Sequence, residues 1–160
     1  MEGKVTMGIF DCNHGRCLCS RCQTKTIHFE EPLPRVYVAD TFRAKTAWGI
    51  EQNIRRAECL GLEIAQLGAV PVIPHSMYRY FHGTLPDDFW LDACMQLLRP
   101  CHVIITVEGW QSSAGTLNEL DTAINKLHIP VFHQHTNKRI VSAIGQCVFA
   151  TWLADWKASR

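Results

Sequence analysis

Long apolar runs are missing from this sequence. A membrane-spanning helix needs roughly 20 apolar residues, and one of the longest apolar stretches here is only Val103 to Val107. The first residues, Met1-Glu2-Gly3-Lys4, are not followed by the apolar run of a signal peptide. We therefore expect a soluble, cytoplasmic protein that has no membrane partner.

The sequence also lacks an excess of charge of one sign. Sixteen Lys and Arg face fifteen Asp and Glu, which leaves a formal charge of +1. This balance argues against a nucleic acid polymer as partner, because such proteins carry basic patches. Internal repeats are missing too. A length of 160 residues, of which 47% are hydrophobic, predicts a single domain with one packed core.

Cysteine, in contrast, is abundant and unevenly placed. Four of the eight cysteines are clustered and four are scattered through apolar segments: Cys12, Cys17, Cys19 and Cys22, then Cys59, Cys94, Cys101 and Cys147. This distribution favours a local metal site plus buried thiols over a secreted disulfide framework. Together with His14, the cluster offers more ligand side chains than the four that a structural zinc needs. Reduced thiols on an N-terminal arm, or a redox or iron–sulfur role, are the alternatives.

A domain boundary is predicted at Glu30-Glu31-Pro32-Leu33-Pro34, where two acids and two prolines form a stiff linker. Upstream, Val5, Met7 and Ile9 alternate like a strand, as do Ile27 and Phe29. Residues 1–34 are therefore predicted to form a small Cys-rich hairpin that binds zinc if the cluster is a metal site. Residues 35–160 form the main domain.

The main domain alternates predicted strands with helices. The strands are Arg35 to Ala39, Val70 to Ile73, His102 to Val107 and Pro130 to His133. Helical spacing is shown by Ile50, Ile54, Ala57, Gly61 and Ile64 before Gly68, by Leu117, Leu120, Ile124 and Leu127, and by Val141, Ile144, Val148 and Trp152. This order predicts a Rossmann-like or flavodoxin-like α/β fold with a parallel sheet and helices on both faces.

Ligands of such sheets bind beyond the carboxyl ends of the strands. The third predicted strand leads into a small-residue turn from Glu108 to Gly115 that opens a helix. Helix N-termini attract anions, and Ser112 and Ser113 would add hydroxyl donors. Glu119 is expected in the first helical turn, where its carboxylate would project into the same crevice and act as a nucleophile.

The same turn also has a purely structural interpretation. Thr116-Leu117-Asn118-Glu119 matches a capping box, in which Glu119 only bonds the backbone of the N-cap residue. The serines would then be cap or turn residues. Aromatic side chains of a predicted loop, and Trp110 beside the turn, either stack on a nucleobase or pack in the core. The loop residues are His75, Tyr78, Tyr80, Phe81 and His82.

Three stretches carry a resemblance to a known family. They are Tyr37-Val38-Ala39-Asp40-Thr41-Phe42-Arg43 with Trp48-Gly49-Ile50-Glu51-Gln52-Asn53-Ile54, then Trp90-Leu91 with Leu97-Leu98, and Gly109-Trp110-Gln111-Ser112-Ser113-Ala114-Gly115-Thr116-Leu117-Asn118-Glu119. Together, over residues 35 to 134, they resemble the nucleoside 2-deoxyribosyltransferase-like superfamily, specifically its DUF4406 branch.

The resemblance implies a function and a set of site residues. Glu119 would attack the anomeric carbon of a nucleoside or nucleoside 5′-monophosphate, while Ser113 of the same motif binds the 5′ side and Gly115 is a further substrate-binding residue. Tyr37 and Arg43 would lie near the sugar. The resemblance implies no catalytic cofactor, and a homo-oligomer whose pockets a neighbouring subunit often completes.

Three positions depart from the family's pattern. Cys94 and His102 stand where relatives carry Asp, and Asp40 stands where Gly is usual. A second acid would help the base to leave, and Asp92, Asp88 or Asp40 would have to supply it. We therefore weigh N-glycosidic cleavage or transfer against two alternatives, a nucleotide-derivative binding module without catalysis and a zinc-stabilised adaptor.

Overall fold

A computed structural model describes residues 32–135, 140–142 and 148–159 of the chain. The predicted N-terminal hairpin, with Cys12, Cys17, Cys19 and Cys22, lies outside the described residues. The hairpin and its zinc therefore stay predictions.

The described residues form an α/β fold built on one five-stranded sheet. The strands are β1 (Arg35–Ala39), β2 (Val70–Val72), β3 (Val103–Thr106), β4 (Val131–Gln134) and β5 (Ile140–Ser142). Their order across the sheet is β2-β1-β3-β4-β5. The first four strands are parallel, which confirms the predicted parallel sheet, and β5 runs antiparallel to β4.

Helices connect the strands. They are α1 (Ala47–Gln66), α2 (Pro74–Tyr78), α3 (Asp87–Leu98), α4 (Ala114–Asp121) and α5 (Phe149–Ala158), with a 3-10 turn at Trp110–Ser112 and a π-helix at Thr122–Leu127. Thr46 caps α1 by accepting a hydrogen bond from the Gly49 amide. The chain leaves α1 through Gly68, whose φ of 86° suits glycine. No helix within the described ranges is long and apolar enough to span a membrane.

Side chains of β1 alternate between the two faces of the sheet, and each face has its own core. Val36 and Val38 pack in one core with residues of α1 and α5, including Leu60. Tyr37 and Ala39 pack in the other core with residues of α3 and α4. Helices therefore cover both faces, and the alternation decides which helix each β1 side chain contacts.

The C-terminal helix was predicted to begin at Val141, and this is wrong. Ile140–Ser142 pairs with β4 as an antiparallel edge strand, and α5 begins only at Phe149. The β-branched pair Ile140-Val141 fits an extended strand better than a helix. The segment after β2 was predicted as a loop, yet Pro74 starts the short helix α2 there.

The apolar stripe predicted for this helix is only half right: Leu120 and Leu127 pack in the core, whereas Leu117 and Ile124 are 49% and 48% exposed. The buried face of α4 and its π-helical extension instead carries Thr116, Glu119, Leu120, Thr122 and Ala123. The switch to π-helix at Thr122 changes the residue period, which accounts for the exposure of Ile124. Leu117 precedes this switch, and the structure does not explain its exposure.

Leu60 and Leu62 provide a matched test of the α1 packing, because Leu60 is 0% and Leu62 is 61% exposed. Leu60→Ala should lower the free energy of unfolding by about 2–5 kcal/mol, since it leaves a cavity against the sheet. Leu62→Ala should change it by less than about 0.5 kcal/mol. Urea unfolding measures both, and equal losses would contradict the packing of α1 described above.

Candidate active site

The candidate site lies where the winding of the sheet reverses. β1 sits between β2 and β3, so the chain crosses to one side of β1 and then to the other. Open α/β sheets bind ligands at such a point, beyond the carboxyl ends of the strands. The end of β1 at Ala39 and the end of β3 at Thr106 are paired neighbours there. α4 begins in the segment that follows β3.

Glu119 is the central charged group of the site. Its side chain is on the sheet-facing side of α4 and is only 7% exposed. The hydroxyl of Tyr37, itself 0% exposed, donates a hydrogen bond to Oε1 of Glu119 at 2.6 Å. Burial raises the pKa of Glu119 to about 7, and the Tyr37 hydrogen bond opposes that rise. Protonated and ionised Glu119 therefore coexist near neutral pH.

The capping-box interpretation of Glu119 is wrong. Ser113 is the N-cap residue of α4, and its side chain accepts a hydrogen bond from the Thr116 amide at 3.3 Å. The helix is capped by Ser113, three residues earlier than a cap at Thr116 would be. Glu119 therefore lies in the second turn of the helix and not in the expected first turn. Its carboxylate bonds Tyr37 instead of the backbone of the cap.

Cys94 of α3 is the second group that faces Glu119. Burial and, to a smaller extent, the nearby Glu119 charge raise the pKa of the Cys94 thiol to about 12, and a hydrogen bond with Tyr37 opposes the rise. Burial, followed by the proximity of Glu119 and Cys94, raises the pKa of Tyr37 well above its usual range. At neutral pH the thiol and the phenol thus keep their protons, and Glu119 is the group of this cluster that titrates.

Asp40 directly follows β1, and its side chain faces α1. Arg56 approaches Oδ1 and Oδ2 at 3.3 and 3.4 Å, and the Thr41 amide donates to Oδ1 at 2.6 Å. Burial raises the pKa of Asp40 to about 6, against the opposing effect of Arg56. Tyr37 and Asp40 are three residues apart on an extended chain and so point to opposite faces. The structure does not pair the Asp40 carboxylate with Glu119, contrary to the catalytic role considered for it.

His75 is buried at the start of α2, with 7% exposure. Its Nε2 bonds the Asp40 carbonyl at 3.0 Å, so this nitrogen carries the proton. Burial lowers the pKa of His75 to about 4, which keeps the ring neutral at pH 7. Nδ1 is buried with no hydrogen-bond partner in the described part of the chain, and the same holds for Thr41 Oγ1 and Trp90 Nε1.

Several predicted site residues are not brought to Glu119. Asp92 is exposed on α3, and it lies two residues before Cys94, which places it on the other side of that helix. Arg43 forms an exposed ion pair with Asp87. Ser112 donates to the Gly109 carbonyl within its own turn at 3.3 Å. Asp92 thus points away from Cys94, Arg43 is engaged with Asp87, and Ser112 is bonded within the turn before α4, so their roles in the site stay predictions.

Gly115 belongs to the packing between α3 and α4. A Cβ atom at this position would lie 3.5 Å from the Leu91 side chain. This is ordinary van der Waals contact, so nothing in the structure demands glycine at Gly115 for steric reasons.

Trp110, a candidate site residue from the sequence, packs partly buried against the core and stacks on His133, which the sequence did not assign to the site. The two rings stack with centroids 5.0 Å apart and planes 8° apart. His133 Nδ1 and the Thr106 hydroxyl share a hydrogen bond of 2.6 Å. Thr106 and His133 are register partners on β3 and β4. Their position at the carboxyl ends of two predicted strands was the available signal.

His102 lies at the opposite edge of the sheet. It precedes β3, and its Nδ1 accepts a hydrogen bond from the Arg35 amide at the start of β1, at 2.9 Å. His102 therefore occupies a structural position at the amino ends of the strands. The departure from Asp at this position removes no acid from beside Glu119.

A metal has no evident place within residues 32–135, 140–142 and 148–159, because no three His, Cys, Asp or Glu side chains there are grouped to hold one.

Glu119 should make stability depend on pH. Unfolded Glu119 loses its proton near its ordinary pKa of 4.5, whereas folded Glu119 keeps it until about pH 7. The folded state binds the extra proton, so stability falls as pH rises between these values, by roughly 3 kcal/mol. Glu119→Gln removes this loss, because Gln binds no proton. The free energy of unfolding of the variant, relative to that of wild type, should therefore be higher at pH 8 than at pH 4.5, as measured by urea unfolding.

The raised pKa of Asp40 also contributes to the pH dependence, but Asp40 is present in both proteins and its effect cancels in the difference. A difference between wild type and Glu119→Gln that is the same at both pH values would contradict a buried, proton-binding Glu119.

Comparisons with known proteins add no assignment. No protein-family model matches the chain, and no curated protein matches it.

Proposed function

We propose that this protein cleaves or transfers the N-glycosidic bond of a nucleoside or nucleoside 5′-monophosphate, with Glu119 as the nucleophile. The observation that carries the proposal is the buried Tyr37–Glu119 hydrogen bond at the carboxyl edge of the sheet. The resemblance of residues 35 to 134 to the nucleoside 2-deoxyribosyltransferase-like superfamily agrees with it. The strand order β2-β1-β3-β4 also supports the Rossmann-like, flavodoxin-like form of the α/β fold.

The chemistry follows from the carboxylate. An ionised Glu119 oxygen attacks C1′ of the sugar, and the C1′–N bond breaks with its electron pair leaving on the base, which takes up a proton. A covalent glycosyl–enzyme ester results, as in retaining glycosidases. Water then attacks C1′ and gives hydrolysis, or the nitrogen of a second base attacks and gives transfer. Either attack releases the carboxylate, and the attacking group loses a proton.

Tyr37 orients the nucleophile. It donates to Oε1, which leaves Oε2 as the oxygen for attack on C1′. The N-terminus of α4, capped by Ser113, supports binding of the 5′-hydroxyl or 5′-phosphate through its free amides. The stacked pair Trp110 and His133 supplies an aromatic surface at the same edge. No cofactor is needed for these steps.

Assembly with a second copy of the chain is part of the proposal. It is supported by exposed apolar side chains on α3 and α4, which are Phe89, Leu91, Leu117 and, in the π-helical extension, Ile124. Exposed apolar surface of this kind marks interaction sites.

The alternative function is a binding module that holds a nucleotide derivative without chemistry. One observation favours it: the groups that face Glu119 are the thiol of Cys94 and the phenol of Tyr37, and both have raised pKa values. Neither is a strong acid for the leaving base. The adaptor function depends on cysteines outside the described residues and gains no support from the site.

The test is chromatographic detection of free base after incubation with a panel of nucleosides and 5′-monophosphates, each with and without an acceptor base. Wild type should release base from at least one compound. Glu119→Ala should reduce the rate by at least about 10³-fold, because the nucleophile is lost. Asp92→Asn, a carboxylate removed from an exposed position of α3, is the matched control and should keep the wild-type rate.

A 2-fluoro-2-deoxy nucleoside analogue should also trap the ester on Glu119, detected by mass spectrometry. Turnover without such an adduct would exclude the covalent mechanism. Calorimetric binding of a compound with no release of base from any member of the panel would replace the enzyme proposal with the binding module.

A further inference from the structure

One backbone carbonyl ties three elements of the site together. The Asp40 carbonyl oxygen accepts a hydrogen bond from the Thr116 hydroxyl of α4 at 3.0 Å and bonds His75 Nε2 of α2 at 3.0 Å. Thr116 is 1% exposed, so water does not replace its hydroxyl as the donor. The carbonyl at the end of β1 is therefore shared by the helices that follow β2 and β3.

Thr116 and Glu119 are one turn apart on the same face of α4. Each of them bonds a different residue at the end of β1. Thr116 bonds the backbone of Asp40, and Glu119 bonds the side chain of Tyr37. Two hydrogen bonds, one near the start of the helix and one a turn later, thus fix both the distance and the rotation of α4 against the strand.

We propose that Thr116 is a positioning residue, whose hydroxyl holds α4 against the end of β1 so that the Glu119 carboxylate stays within hydrogen-bond reach of Tyr37. The effect of this positioning on catalysis rests on the proposed function. The effect on the Tyr37–Glu119 hydrogen bond is independent of the proposed function, because that bond exists in the protein without substrate.

The titration of Glu119 reports on this bond. Loss of the Tyr37 donor removes the interaction that opposes the effect of burial, so the pKa of Glu119 should rise. The titratable groups that face Glu119 from the packed elements are Tyr37 of β1 and Cys94 of α3. Both stay protonated near neutral pH. The Asp40 carboxylate is paired with Arg56 on the other face, so it does not disturb the measurement.

The experiment compares Thr116→Val, which keeps the side-chain shape and removes the hydroxyl, with Thr116→Ser, which keeps the hydroxyl. Each protein carries carboxyl-labelled [13C]glutamate, and Glu119→Gln identifies the Glu119 resonance. The pKa of Glu119 should rise by about one unit in Thr116→Val and stay at the wild-type value in Thr116→Ser. Tyr37→Phe, which removes the donor directly, should reproduce the shift of Thr116→Val.

Base release supplies a second readout. Below the pKa of Glu119, a rise of one unit lowers the ionised fraction about tenfold. Thr116→Val should therefore lose about tenfold in rate at pH 6, and most of the loss should disappear at pH 9, where Glu119 is ionised in both proteins. A merely destabilised protein would not regain activity in this way.

A wild-type Glu119 titration in folded Thr116→Val overturns the positioning role, whatever the activity assay shows. If Thr116→Val does not fold, Thr116→Ala decides the question by the same titration, since the smaller side chain introduces no contact. A shifted titration in these variants, together with no base release by wild type, would keep the positioning role and reject the proposed function. The two claims thus fail separately.

Discussion

The alternation of side chains along β1 is the constraint on which the rest of the site depends. It turns Tyr37 toward α3 and α4, and Asp40 toward α1. Each choice fixes a partner: Glu119 bonds Tyr37 on one face, and Arg56 pairs with Asp40 on the other. Two buried carboxylates therefore lie near one end of a single strand without sharing a pocket. A shift of one residue in the pairing of β1 would turn Tyr37 toward α1 and Asp40 toward α4, and both pairs would be lost.

Burial and hydrogen bonding compete at Glu119, and burial wins. The effective penalty for placing an ion in a protein interior is several kcal/mol, whereas a hydrogen bond to a charged group contributes about 1.5–3 kcal/mol. Within the described ranges one donor, the Tyr37 hydroxyl, bonds Glu119, and it offsets only part of the penalty, in line with a pKa near 7. An ionised Asp in place of Cys94 would add a like charge and raise that pKa further. The neutral thiol of Cys94 avoids this repulsion.

Much of the architecture could be predicted from the sequence, because hydrophobic periodicity reports burial directly. The four parallel strands and the face of α1 that carries Ile54, Ala57 and Ile64 follow from it. Two features were missed because tertiary contacts decide them. Ile140–Ser142 becomes a strand because it pairs with the edge of β4, and the π-helix after Asp121 turns Ile124 away from the core.

The candidate site shows the same division. Glu119 could be found from the small-residue turn and the lean of helical side chains, although its helical turn was misplaced. The partner of Asp40 could not be predicted, because the side of the sheet that Asp40 faces depends on the register of β1. Asp92 was proposed because the reaction needs a second acid, and its position on α3 was not used. Thr116 was visible only as a cap candidate, since nothing in a sequence indicates that a hydroxyl will meet the Asp40 carbonyl 76 residues away.

The raised pKa of Glu119 suits the proposed reaction, even though it lowers the population of the nucleophile. An ionised Glu119 in the free protein is under-stabilised, because the one hydrogen-bond donor that the described residues supply does not outweigh the effect of burial. The oxocarbenium-like transition state brings positive charge to C1′. In a buried site this charge stabilises the carboxylate more than water would. The penalty present before reaction is then relieved at the transition state, and only such differential stabilisation accelerates a chemical step.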